Sequence, residues 1–319
     1  MEEKISVGIG INLFNAGAVL MREDKSIAAQ IERKNGPANA NETISMLFEL
    51  FDEILNKAKK LRETVECVGL ALGGIVNRNK GIVYWPQREE SSYVYVAVPL
   101  KEFFEKKFGL PVSVDNDATA CALAEHKINF SRYKNIIYMF SGVGCGIIID
   151  GSVYRGKSGR AGEIFLRSKK AMSSTLGDFS FLRQWPADLD MVKRAKELIS
   201  LGKVTSLIRK ITPTGELALK DIFNEAKKKD PVSRTVLGEA AISLGVKIAF
   251  LINLFDPNMV IIGGGLEESG DFLLQECIDS VKDFAFNESR KNCKIAFSQL
   301  GSGATSLGAA LGAFNEINQ

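Results

Sequence analysis

Four glycine clusters, each at the end of a short apolar run, constrain this chain more than any other feature: Gly8/Gly10, Gly73/Gly74, Gly142/Gly144/Gly146 and Gly263/Gly264/Gly265. The runs that lead into them, near 5–10, 65–72, 136–140 and 259–262, are strand-sized. Glycine reaches positive φ without strain and lets backbone N–H groups approach an anion or a ring closely. Any one cluster is weak evidence, because most such clusters are plain turns. Four at successive strand ends predict an α/β fold in which backbone lines a ligand cleft. None of the clusters ends in Gly-Lys-Ser/Thr, which excludes a P-loop. None carries the full dinucleotide fingerprint with its downstream acid.

The remaining pattern is consistent with that class. Segments 5–10 and 16–21 read as strands around a polar turn, and 26–33 alternates as a third strand. Asn39 stands three residues before Glu42, a capping-box spacing. Ile44, Leu47, Phe48, Phe51, Ile54 and Leu55 then share one helical face. Further helices are predicted at 100–108, 118–125, 232–254, 272–286 and 305–317, and strands at 112–114 and 294–298. Pro257 stops the long apolar helix. Residues 166–190 are polar and aperiodic and read as a loop. The strand–turn–strand unit beginning at Ile136 repeats the layout of 5–21. That repeat, with its turn facing a cleft, suggests two related domains, each opening with the same motif.

Composition removes several function classes. The chain has 319 residues, 45% hydrophobic and 25% charged, as a globular protein has. Its 41 Lys and Arg against 38 Asp and Glu leave +3, too balanced to argue for nucleic acid or an anionic membrane. No uninterrupted apolar run reaches the roughly 18 residues of a membrane span, and the acidic start is unlike a signal peptide. Five scattered cysteines without a C-x-x-C suggest free, mostly buried thiols in a reducing cytoplasm. The single histidine, His126, argues against Ser-His-Asp chemistry and against a Cys/His zinc site. It follows Glu125 on a predicted helix and reads as a surface or helix-end residue. The basic clusters at 57–62 and 227–229 read as helix C-termini, where cations suit the helix dipole.

Five segments, in order, resemble the ROK family of repressors and sugar kinases, within the actin-like superfold. They are Gly69-Leu-Ala-Leu-Gly-Gly74-Ile-Val-Asn77, Pro111-Val-Ser-Val-Asp-Asn116-Asp117 running on to Glu125, Ser141-Gly-Val-Gly-Cys-Gly146, Gly159-Arg-Ala-Gly-Glu163, and Asp256-Pro-Asn-Met-Val-Ile-Ile-Gly-Gly-Gly265. The resemblance covers nearly the whole chain. It implies a two-domain α/β, ribonuclease-H-like fold with an interdomain cleft, residues 1–117 plus 304–319 forming one domain and residues 118–303 the other. It also implies a sugar held by Gly74, Asn116, Asp117 and Glu163, with Asp117 as the base that takes a hydroxyl proton in a kinase. Gly142, Gly144 and Gly146 would approach ATP phosphates, and Gly263, Gly264 and Gly265 would border the adenosine. Asp is also a favoured helix N-cap, so Asp117 has a structural reading beside the functional one.

The chain departs from the family in two places. Where family kinases open with Asp-x-Gly-Gly-Thr, this chain has Gly10-Ile-Asn12-Leu13-Phe14. The Mg²⁺-side carboxylate is missing, and phosphoryl transfer depends on charge neutralisation there. Leu13 and Phe14 either crowd the phosphates or pack away. After Glu163 the family's His and three zinc cysteines are absent, since no cysteine lies between Cys145 and Cys277. Leu166, Phe179, Phe181, Leu182 and Trp185 could form an apolar plug instead. The expectation is a catalytically degenerate, sugar-binding sensor without zinc, cytoplasmic and homodimeric, with no membrane contact and no DNA contact of its own. The alternative is an active hexose or N-acetylhexosamine kinase, which alone would require ATP and Mg²⁺.

Overall fold

A computed structural model describes residues 4–12, 15–33, 40–89, 92–164 and 187–317. Leu13, Phe14, Asn39 and the five residues of the expected plug lie outside the described residues. In chain order the elements are β1 (Ile5–Ile11), β2 (Ala16–Arg22), β3 (Ile27–Arg33), α1 (Ala40–Leu61), β4 (Val65–Leu72), β5 (Ile75–Asn77), β6 (Ile82–Glu89), β7 (Ser92–Val98), α2 (Leu100–Phe108), β8 (Val112–Asn116) and α3 (Asp117–Ile128). Then come β9 (Ile136–Phe140), β10 (Gly144–Ile149), β11 (Ser152–Tyr154), α4 (Ala187–Ser200), α5 (Leu219–Lys227), α6 (Pro231–Phe255), β12 (Met259–Gly263), α7 (Asp271–Phe284), α8 (Asn287–Lys291), β13 (Lys294–Phe297) and α9 (Ala304–Ile317).

Two sheets repeat one plan. The first has the order β3-β2-β1-β4-β8 and the second β11-β10-β9-β12-β13. In the first, β1 and β2 are antiparallel, as are β2 and β3, whereas β1–β4 and β4–β8 are parallel. In the second, β10–β11 is antiparallel and β9–β12 and β12–β13 are parallel. The sequence predicted the repeated strand–turn–strand opening; the structure extends the repeat to three consecutive strands followed by two parallel ones, and the fold is the expected α/β class.

Every residue of β1 is buried, so both faces of that strand are covered. Alternation divides the covering. Ile5, Val7, Ile9 and Ile11 join Leu47, Leu50, Phe51 and Ile54 of α1 in one apolar core. On the other face Gly8 and Gly10 lie against α9. A Cβ on Gly10 would stand 2.5 Å from Ser306 N, and one on Gly8 would stand 2.1 Å from Ser306 O. Glycine here serves helix-on-sheet approach.

The antiparallel sheet β5-β6-β7 was not anticipated. Pro86 argues against a paired strand, because proline cannot donate to a ladder. Strand β5 pairs only with residues 82–84, so at Pro86 strand β6 has β7 alone as a neighbour and tolerates the missing donor. Helix α6 is, among the described residues, the one helix long and apolar enough to cross a membrane. Its Val236, Leu237, Ala241, Ile248 and Ile252 are buried, and it packs against α4, α5 and α7. The basic clusters do end helices: Lys59 and Lys60 lie in the last turn of α1 and Lys227 in that of α5.

The chain divides into two compact units, Met1–Lys134 with Gly146–Gly162 and Gln299–Gln319, and Asn135–Cys145 with Glu163–Ser298. This corrects the expected boundary after residue 117, because α3 belongs to the first unit. The reason is backbone contact between small-residue helices: a Cβ on Gly308 of α9 would meet Ala120 O of α3 at 1.9 Å.

Candidate ligand site

In the first unit three parallel strands end level with one another. Ile11 is opposite Leu72, and Leu72 is opposite Asn116. Asn12, the Gly73–Gly74 turn and the Asn116–Asp117 pair therefore all leave the sheet at its carboxyl edge, the edge at which open α/β sheets bind ligands. Asn116 Nδ2 donates to Gly74 O at 3.1 Å, and Trp85 Nε1 donates to Gly73 O at 2.8 Å. Gly74 has φ of +120°, a conformation closed to L side chains, and a Cβ there would stand 3.1 Å from the Trp85 ring.

Asn116 is the N-cap of α3, accepting from Ala118 N at 2.9 Å and Thr119 N at 3.4 Å. Asp117 is the first helical residue, and its Oδ1 also accepts from Ala118 N at 2.8 Å. Its side chain is only 8% exposed. Burial pushes its pKa up to about 6, opposed by the backbone N–H groups of Ala118 and Asp117 and by the Asn116 side chain. The carboxyl is thus mostly ionised at pH 7 and close enough to neutrality to accept a proton usefully. Behind the pair, Asp115 is gripped by two arginines. Arg155 donates from Nε at 3.0 Å and Nη2 at 2.8 Å, and Arg78 from Nη1 at 3.1 Å. Arg78 also reaches Glu316 at 2.8 Å. These bonds hold the end of β8 and hence the direction of Asn116.

The second unit gathers the other glycine turns. Ser141 and Gly142 both have positive φ, of 48° and 74°. Ser141 N donates to Gly263 O at 3.1 Å and Ser141 Oγ to Gly264 O at 2.5 Å, so the 141–144 turn and the 263–265 turn are joined. Gly265 N donates to Glu267 Oε2 at 2.9 Å. Glu163 is exposed and its backbone bridges Gly144. Gly146 is in the first unit, against α3, where a Cβ would meet Ala118 O at 2.2 Å. Gly263 is packed under Tyr138, with 1.9 Å between its would-be Cβ and Tyr138 Oη. The structure therefore joins Gly74, Asn116 and Asp117 in one unit, and Gly142, Gly144, Glu163 and Gly263–Gly265 in the other.

The residues present do not offer Mg²⁺ the carboxylate that the family's kinases use. Position 10 is glycine, and α9 occupies the space that a side chain there would need. Among the described residues no group of three or more His, Cys, Asp or Glu side chains is placed to hold a metal. The five thiols are free and four are buried. Burial pushes Cys67, Cys145, Cys277 and Cys293 up to about 12, so these are inert thiols.

His126 lies in the last turn of α3, as the helix-end reading has it, but it is not at the surface. It is 4% exposed, and burial lowers its pKa, leaving it neutral at pH 7. Sequence reasoning also missed the Asp115–Arg155–Arg78 grip and Lys247. Only Lys247 had a local signal, as a lone cation inside the apolar stretch 240–252.

The sequence profile of the ROK family matches residues 4–315. A xylose repressor of Caldicellulosiruptor bescii is 28% identical over 270 residues, which are 83% of this chain and 66% of the repressor. The chain thus spans just under two thirds of that relative's length. A glucokinase of Streptomyces coelicolor is 32% identical over 257 residues, 77% of this chain and 79% of the kinase. A ROK family glucokinase from Streptomyces griseus, solved with glucose and AMPPNP, has the same fold, with a TM-score of 0.77 at 24% identity over 98% of this chain and 99% of that one.

Proposed function

Since the chain belongs to the ROK family, we propose that it is a sugar-binding member that acts as a sensor and not as a phosphotransferase. The observation that carries this reading is Gly10. A kinase needs a carboxylate there for Mg²⁺, and backbone of α9 at 2.5 Å from a would-be Cβ leaves no room for one. The retained Asn116–Asp117 pair supports a polyhydroxylated ligand, because buried acceptors of this kind reject ligands that leave them unpaired. The glucose bound by the solved relative makes a hexose the first candidate. The protein is cytoplasmic in this reading, binds no zinc, and pairs as a homodimer. Its own described residues are not assigned to DNA.

One observation favours the second reading, an ATP-dependent hexose or N-acetylhexosamine kinase. Asp117 titrates near 6, where a general base for a sugar hydroxyl works well. Two measurements separate the readings: coupled ADP release across a panel of hexoses, and calorimetry with the same sugars. The sensor binds at least one sugar and releases no ADP. Sustained turnover with any hexose would establish the kinase and overturn the proposal.

A further inference from the structure

Among the described residues, the two most exposed large apolar side chains lie three positions apart in the connection that follows α4. Leu201 is 71% and Val204 85% exposed, and Ile208, in the short 3₁₀ helix Ser206–Lys210, is 55% exposed. Backbone bonds build this connection: Leu201 N, Gly202 N and Lys203 N donate to the carbonyls of Glu197, Ile199 and Leu198. At its other end Thr205 Oγ1 donates to Asp230 at 2.9 Å, and Ser206 N donates to the same carboxylate at 2.8 Å. The apolar tips are thus presented by a fixed backbone, and a partner need not spend binding energy on ordering them.

Next to this connection α4 and the segment leading into α5 border a groove of about 710 Å³. Val192, Leu217 and Leu219 are its apolar members and Lys193 and Lys196 its cations; Glu197 and Ser200 complete it. Helix α4 buries Met191, Ala195 and Leu198 on its opposite side. Glu197 has its charge met by Arg194 at 3.4 Å, whereas among the described residues no carboxylate pairs with Lys193, Lys196, Lys203 or Arg209. Between Met191 and Asp230 the chain has ten Lys and Arg against five Asp and Glu. The whole chain has 41 against 38, so elsewhere acid slightly outnumbers base. The excess positive charge belongs to the segment that carries the groove and the apolar tips.

We propose that this face docks a protein segment that is acidic and carries large apolar side chains. Its apolar residues cover Leu201, Val204 and Ile208 and enter the groove, and its carboxylates meet Lys193, Lys196, Lys203 and Arg209. Exposed apolar side chains rimmed by charge mark association surfaces, and the unpaired cations set the sign of the partner. A bilayer is too flat to fill a groove beside a helix. The phosphate backbone of a nucleic acid offers nothing to three exposed aliphatic tips. A second copy of the same face would set like charge against like. The inference is independent of the sugar reading.

The test is selection of a random peptide library displayed on phage against the full chain, followed by fluorescence anisotropy of the selected synthetic peptides at low and high salt. Wild type is compared with Lys193→Glu/Lys196→Glu and with Leu201→Ser/Val204→Ser. All four side chains are exposed, so both variants should melt with wild type. The enriched peptides should combine Asp or Glu with Leu, Phe or Trp, and salt should weaken their binding to wild type. Each variant should weaken binding by about tenfold or more, and only the charge reversal should also remove the salt dependence. No enrichment above the starting library, enrichment without acidic residues, or equal affinity for both variants and wild type overturns the proposal. Phosphatidylglycerol vesicles and duplex DNA are titrated in parallel. Binding of either that exceeds the peptides and is lost on charge reversal gives the face to that partner and equally overturns it. If one variant does not fold, the composition of the selected peptides and the other variant still decide.

Discussion

Asp117 holds two positions with one carboxylate. It closes the first turn of α3 through Ala118 N, and it faces the turn at Gly73, where a Cβ would lie 3.3 Å from Oδ2. The cost of that placement is visible in its pKa, raised from 3.8 to about 6 by burial. A folded-state pKa above the unfolded value means that the native state binds the proton more tightly. The contribution of Asp117 to stability is therefore fully present below about pH 4 and is lost as pH rises through about 6. Asp117→Asn keeps an acceptor for Ala118 N and removes the buried charge. This variant should be more stable than wild type at pH 8, by on the order of 1–3 kcal/mol, with the advantage gone near pH 4. Urea denaturation at both pH values checks this; the same difference at both would show that the carboxyl is not desolvated.

Between elements, one side chain couples α3 to the segment that leads into α9. Glu125 is fully buried, and its Oε1 accepts from Gln299 N at 2.7 Å and Leu300 N at 3.0 Å. Its Oε2 accepts from Asn129 Nδ2 at 2.9 Å. Those two backbone donors have the carboxylate where a ladder would otherwise serve them. Glu125→Ala should lose about 3 kcal/mol, since it leaves both N–H groups without that acceptor. Glu125→Gln retains an acceptor oxygen and should lose about 1 kcal/mol. Chemical denaturation of the two variants separates them, and equal losses would mean that Glu125 acts by filling space alone. The clamp supports the candidate site indirectly, because α3 begins at Asp117.

For the molecule as a whole, the proposed homodimer has a surface to use. Ile242 and Leu254 on α6 are 51% and 59% exposed, and Phe284 and Phe286 at the end of α7 are 55% and 69% exposed. Asn253 joins the two helices, donating to Phe284 O at 3.3 Å and accepting from Phe286 N at 2.8 Å. Leu254, Phe284 and Phe286 thus lie at the bonded ends of α6 and α7, and exposed apolar side chains held together mark association sites more often than they stay in water. Leu254→Glu should convert a dimer to a monomer in light scattering at tens of micromolar without lowering thermal stability of the separated chain. A wild type that is monomeric at that concentration would remove the dimer from the proposal.

The elements could be read from the chain alone because their causes are local. Apolar periodicity set β4 at Val65–Leu72 and α2 at Leu100–Phe108, and the repeated strand–turn–strand layout foretold the repeated sheet plan. Asn116–Asp117 was singled out by its likeness to a family motif, and the strand end before an Ala-rich helix that the motif implies is where the pair lies. Other features depend on partners far away in sequence. Gly10 reads as a lost metal ligand from the chain, but only α9, about 300 residues on, shows that its side-chain space is taken. His126 reads as peripheral until neighbouring elements bury it. Lys247 is a lone cation in an apolar helix until the turn at Gly142, 105 residues away, supplies its acceptor. Propensity and periodicity act over a few residues, whereas burial, close approach and charge compensation are properties of the packed chain, and those were decided only by the tertiary structure.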